Sequence, residues 1–109
     1  MTKNKTKSIE LYWRPGCGFC MGLDRGLAKH EGLPIKRHNI WDDSKAAAFV
    51  RQHSNGNEIV PTVRVGETVL VNPTTNQVLA AVAQEMPEAL PEGWEPQRSL
   101  RSRLPFVRR

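Results

Sequence analysis

The stretch SIELYWRPGCGFC, residues 8 to 20, limits what this chain can fold into more than any other. Ile9, Leu11 and Trp13 alternate along a run rich in β-formers, which predicts a strand that ends where Arg14-Pro15-Gly16 breaks it. A helix follows at once, from Cys17 to about His30. Cys20, Leu23, Leu27 and Ala28 recur at steps of three and four, Lys29-His30 supply a basic last turn, and Gly32 is a stop. Gly22 and Gly26 weaken that helix by up to about 1 kcal/mol each relative to alanine, so packing must hold it.

The remaining segments follow the same logic. Residues 34 to 40, PIKRHNI, read as a second strand. Asp42, Asp43 or Ser44 caps a helix through Ala46 to Val50, and Ser54-Asn55-Gly56-Asn57 ends it. IVPTVRV and TVLV flank Gly66-Glu67, the pattern of a β-hairpin with a two-residue loop. Asn72 as cap with Pro73 in the first turn opens a last helix whose buried stripe is Val78, Leu79, Val82 and Met86. The order β-α-β-α-β-β-α gives an α/β fold, a four-stranded mixed sheet flanked by three helices.

A length of 109 residues with 39% hydrophobic and 25% charged residues fits one globular domain. Residues 8–86 are the expected domain. Residues 1–7 form a polar basic arm, and residues 87–109, with four of the eight prolines, a mostly irregular tail. Neither a secretory signal nor a membrane span is visible, so a cytoplasmic monomer is expected. The net charge of +5 sits in the ends: Lys3, Lys5 and Lys7 in the arm, and five arginines against three glutamates in the tail. A nucleic-acid or membrane contact would therefore run through Trp94 and the tail arginines, although such tails are more often simply solvated.

Cys17 and Cys20 are the only cysteines. In a reducing compartment a C-x-x-C pair is a redox pair or half of a metal site sooner than a permanent staple. Disulfide exchange needs an accessible thiolate and a second thiol near enough to release a mixed disulfide. Cys17, at the helix start, gains from unpaired N–H groups and the positive end of the helix dipole, while Cys20 lies one turn in and buried. Arg14, three residues earlier, either favours the thiolate, holds an acidic group of a substrate, or is only solvated. Pro61, in Val60-Pro61-Thr62, either adopts a cis bond, which X-Pro permits at about 0.5–1 kcal/mol, or starts its strand in trans. A zinc site fits poorly. Of the three histidines, His30 lies on the Cys20 helix but about 15 Å along its axis. His38 and His53 have no partner that the sequence identifies. Trp41 is expected to cover the sheet edge, Met21 to pack, and Trp13 to cap its strand rather than line a thiol groove.

YWRPGCGFC, then VPTV some 40 residues later, then LVNP ahead of a helix, resembles the glutaredoxin family of the thioredoxin fold, and within it the mycoredoxin branch. Asn55-Gly56-Asn57 before VPTV and the CGFC site carry the branch resemblance. Asn72-Pro73-Thr74-Thr75 stands where glutathione-using members carry Gly-Gly-Asp for the tripeptide's carboxylate. The resemblance implies a thiol–disulfide oxidoreductase without a bound cofactor, with mycothiol or glutathione as co-substrate. It implies Cys17 as nucleophile, Cys20 as its partner in a redox-active disulfide, Pro61 as a cis-proline, and Val60 as the backbone contact for the bound thiol. Arg14 and Thr62 complete the expected substrate-binding set. Mycothiolated or disulfide-bonded proteins would be substrates, and a flavin reductase an electron source. A bridged iron–sulfur cluster in a dimer is a rival for the same cysteines.

Overall fold

A computed structural model describes residues 8–30 and 32–90. The expected arm, and the tail beyond Leu90 with its tryptophan and arginines, lie outside these residues. The element order is β1 (Ile9–Trp13), α1 (Gly18–Ala28), β2 (Ile35–Asn39), α2 (Ser44–Gln52), β3 (Thr62–Val65), β4 (Thr68–Val71) and α3 (Thr75–Glu85), followed by a short 3-10 turn, Pro87–Ala89. The sheet order is β2-β1-β3-β4. β1 runs parallel to β2, as a strand-helix-strand crossover requires, and antiparallel to β3, which pairs antiparallel with β4 through the hairpin.

Period-two alternation along the strands splits the sheet into two unlike faces. Ile9 and Leu11 from β1 with Val63 and Val65 from β3 point to one side, where α1 supplies Leu23 and Leu27 and α3 supplies Val78, Leu79, Ala81, Val82 and Met86. Nearly all of these side chains are fully buried, each contributing about 1.5–3 kcal/mol from removal of apolar surface. The other face packs Tyr12 and Ile40 against Ala46, Ala47 and Val50 of α2. The four strands and three helices thus form the expected thioredoxin fold.

Local details depart from the sequence expectation. The cap of α3 is Thr74, not Asn72: its side chain accepts from Gln77 N–H at 3.1 Å, while Gln77 reaches back to the Thr74 N–H at 2.9 Å. This reciprocal box satisfies two end donors and outcompetes a cap two residues earlier. Asn72 instead takes a left-handed backbone (φ 55°) that turns the chain out of β4. Helix α1 stops at Ala28, which is exposed rather than part of the buried stripe. Asp43 caps α2, accepting from Lys45 and Ala46 N–H. Beyond Met86, Ala89 and Leu90 pack back on the core, so ordered packing continues into the segment read as irregular.

Two glycines are required by contacts. Gly66 sits at φ 59° in the hairpin turn, where an added Cβ would run into the Glu85 carboxylate. That carboxylate accepts from Thr68 Oγ1 at 2.7 Å and Glu67 N–H at 3.3 Å, pinning the end of α3 to the hairpin. Gly26 lets α1 approach α3, since a Cβ there would collide with Thr75 Oγ1.

Candidate redox site

The strand-to-helix turn that the sequence placed at residues 14 to 17 delivers both cysteines to one end of the sheet. Cys17 is the N-cap of α1, in extended backbone (φ −89°, ψ 106°), and its sulfur accepts the Cys20 backbone N–H at 3.0 Å. A sulfur in this position faces the end donors and the positive pole of the helix, an arrangement that favours its anionic form once it is reduced. Cys17 and Cys20 are joined in a disulfide, their Cα atoms 5.2 Å apart. Cys20 is 2% exposed, as its place one turn into the helix requires. Cys17 is only 6% exposed, so in the oxidised form it is not the accessible position the sequence reading expected.

A second loop supplies the opposing wall. The Val60-Pro61 bond is cis, and the Val60 carbonyl oxygen lies 3.8 Å from Cys17 Sγ. Val60 therefore meets the Cys17 sulfur through its backbone. Thr62, the first residue of β3, is fully buried, and its hydroxyl donates to Ile59 O at 2.7 Å, fixing the loop ahead of the proline. The Asn72 N–H donates to Pro61 O at 2.7 Å, tying the start of α3 to the same loop.

Arg14 reaches the rim of the site. Its Nη1 donates to Pro15 O at 3.1 Å, and its guanidinium carbon lies 5.8 Å from the centre of the Trp41 ring. Trp41 thus does not cover the sheet edge; it is 62% exposed in the turn after β2. Met21 is likewise exposed instead of packed. Phe19, between the cysteines, is 75% exposed and lines a groove of about 380 Å³ between the start of α1 and the start of α3. Leu23, Asn72, Pro73 and Thr75 are among the other residues that line that groove, which the sequence alone did not reveal. Its signal was the pairing of CGFC with NPTT, two motifs whose adjacency only the fold creates.

The histidines assigned no partner do have them. His38 Nε2 bonds to Glu10 Oε1, and its ring stacks on Tyr12 at 4.8 Å; His53 packs on Phe49 at 4.5 Å. Burial pushes the Glu10 carboxyl up, but hydrogen bonds from Ser8 and His38 and the positive charge of His38 and Lys36 outweigh it, leaving it below the usual carboxylate range. Among the described residues no three His, Cys, Asp or Glu side chains are grouped to hold a metal, and no helix is long and apolar enough to cross a membrane.

Comparison with known proteins fits this geometry. The glutaredoxin family model matches residues 9–70. Mycoredoxin 1 of Corynebacterium glutamicum is 30% identical over 76 residues, covering 69% of this chain and 92% of the relative. A Mycobacterium tuberculosis protein described as a glutaredoxin is 29% identical over 80 residues, covering 72% and 94%. The family model spans more than half of the chain, and this chain belongs to the glutaredoxin family of thiol–disulfide oxidoreductases.

Proposed function

We propose that this oxidoreductase reduces protein–mycothiol mixed disulfides, with Cys17 as the nucleophile. The observation that carries the reading is the Cys20 N–H on Cys17 Sγ at the head of α1, opposite the Val60 carbonyl. The Cys17 thiolate attacks the mycothiol sulfur; the S–S bond to the substrate protein breaks, and its thiolate leaves and takes a proton. Cys17 is then disulfide-bonded to mycothiol. A second mycothiol thiolate attacks the mycothiol sulfur, releasing mycothiol disulfide and the Cys17 thiolate, or Cys20 attacks Cys17 and releases mycothiol with formation of the internal disulfide.

Two features favour mycothiol as the small thiol. One relative is named mycoredoxin, and the segment beside the groove is Asn72-Pro73-Thr74-Thr75, without the carboxylate-holding Gly-Gly-Asp of glutathione-using members. A dithiol reading, with electrons from glutathione or a flavin-dependent reductase, draws support from the buried Cys20 already bonded to Cys17.

The test supplies reduced protein with a mycothiolated substrate, mycothiol and its reductase, and in parallel with glutathione or thioredoxin reductase, following NADPH consumption. Mycothiol is expected to support the fastest turnover; equal or faster rates with another donor overturn the assignment. Cys17→Ser is expected to abolish activity with every donor, and Cys20→Ser to keep most of the mycothiol-dependent rate. Loss of that rate in Cys20→Ser selects the dithiol reading. A cytoplasmic setting, which such a reductant pool requires, belongs to the same proposal.

A further inference from the structure

Trp41 is exposed in the turn after β2, and its ring carries the Arg14 guanidinium carbon 5.8 Å from its centre. The fold places it there deliberately. Asn39, the last residue of β2, is in register with Trp13, the last of β1. The Ile40 N–H donates to Trp13 O at 2.9 Å, and the Trp41 N–H donates to Asn39 Oδ1 at 2.9 Å. The turn bearing Trp41 is thereby fastened to the residue that precedes Arg14.

The Arg14 guanidinium has two contacts: Trp41 lies beneath it, and Pro15 O accepts one N–H. A cation over an indole gains about 0.5–1 kcal/mol at an exposed site, enough to select one arrangement of a long side chain. Arg37 and Arg51 pair with Asp24 and Glu58, whereas among the described residues no carboxylate pairs with Arg14. The Asp43 carboxylate, two residues beyond Trp41, is engaged with the N–H groups of Lys45 and Ala46, and Asp42 accepts from Asn39. A guanidinium has five N–H donors in a planar fork, so most of this one's stay free to meet an incoming carboxylate.

We propose that Trp41 is a positioning residue: it holds the Arg14 guanidinium at the rim of the Cys17–Cys20 loop, where the cation selects protein substrates with an acidic residue beside the reacting cysteine. The inference rests on the exchange chemistry proposed above. Trp41 acts through Arg14 and touches neither sulfur nor substrate in this role.

The test uses single turnovers, which need no electron donor. The fully reduced chain is mixed with a peptide whose one cysteine is disulfide-bonded to 2-mercaptoethanol, with either Glu or Gln beside that cysteine. For the unaltered chain, the Glu peptide is expected to half-saturate at about fivefold lower concentration than the Gln peptide, a preference that fades with added salt. Trp41→Ala and Arg14→Gln each reduce that preference below twofold, the double variant reduces it no further, and Trp41→Phe retains most of it. The effect falls on half-saturation rather than on the limiting rate. Equal half-saturation by the two peptides overturns the inference, as does a Glu preference that survives Trp41→Ala. If neither peptide is reduced, the exchange reading itself fails, and this inference with it.

Discussion

The two faces of the sheet do different work. On the side of α1 and α3, aliphatic side chains from β1 and β3 meet aliphatic side chains and Met86 from two helices and their end. On the side of α2, a nine-residue helix covers Tyr12 and Ile40, and an aromatic column continues beyond it: His38 on Tyr12, Tyr12 on Phe49 at 4.7 Å, Phe49 on His53, with the Arg64 guanidinium carbon 5.9 Å from the Phe49 ring centre. Glu10 joins this face through His38. The first face supplies cohesion by area alone, which is insensitive to pH and salt. The second trades area for stacking and charge, which makes it responsive to both.

That contrast sets the expected order of mutational effects. Leu79→Ala, in the fully buried α3 stripe, should cost about 2–5 kcal/mol in urea unfolding, and a loss below 1 kcal/mol would break the comparison. Phe49→Ala, on a half-buried ring, should cost about 1–2 kcal/mol from partial burial and two stacked contacts. A cost equal to that of Leu79→Ala would show the aromatic face to be as cohesive as the aliphatic one. Within the aliphatic side, two helical glycines sharpen the picture. Gly22→Ala places its methyl in open space and should stabilise the fold by up to about 1 kcal/mol, read as a raised Tm. Gly26→Ala should destabilise it because Thr75 is in the way, and Thr75→Ala in the same chain should restore it.

The smallest effect is in pH dependence. The folded chain holds the Glu10 carboxyl below its ordinary range, so this group adds stability that is complete above about pH 4–5 and lost as pH falls through its folded value. Asp24, lowered chiefly by its hydrogen bond from Arg37, acts in the same direction from a more exposed position. Glu10→Gln should therefore lower Tm slightly at pH 7, leave it nearly unchanged near pH 3, and so flatten its decline between about pH 5 and 3. An unchanged decline would remove Glu10 from the responsive face.

Much of this molecule was legible from local pattern. The alternation of Ile9, Leu11 and Trp13, the valine runs around Gly66-Glu67 and the stripe ending at Met86 each encode an element by periodicity, and the helix start at Cys17 encoded the sulfur's surroundings. The α3 cap was misread although its signal was present: Thr74 and Gln77 stand three apart, and the adjacent Asn72-Pro73 is a rival start signal that only the turn at φ 55° rules out. The partners of His38, the posture of Trp41 and the groove beside Phe19 were not legible. Each depends on segments far apart in sequence that the β1–β2 pairing or the α1–α3 approach brings together.

The near-complete enclosure of Cys17 in the disulfide has one more consequence. The head of α1 and the Val60-Pro61 loop both border the Cys17 sulfur, so the rate at which a thiol exchanges with this disulfide should depend on its fit to that gap as well as on its nucleophilicity. Thiols of equal reactivity and different shape would then be told apart by contour.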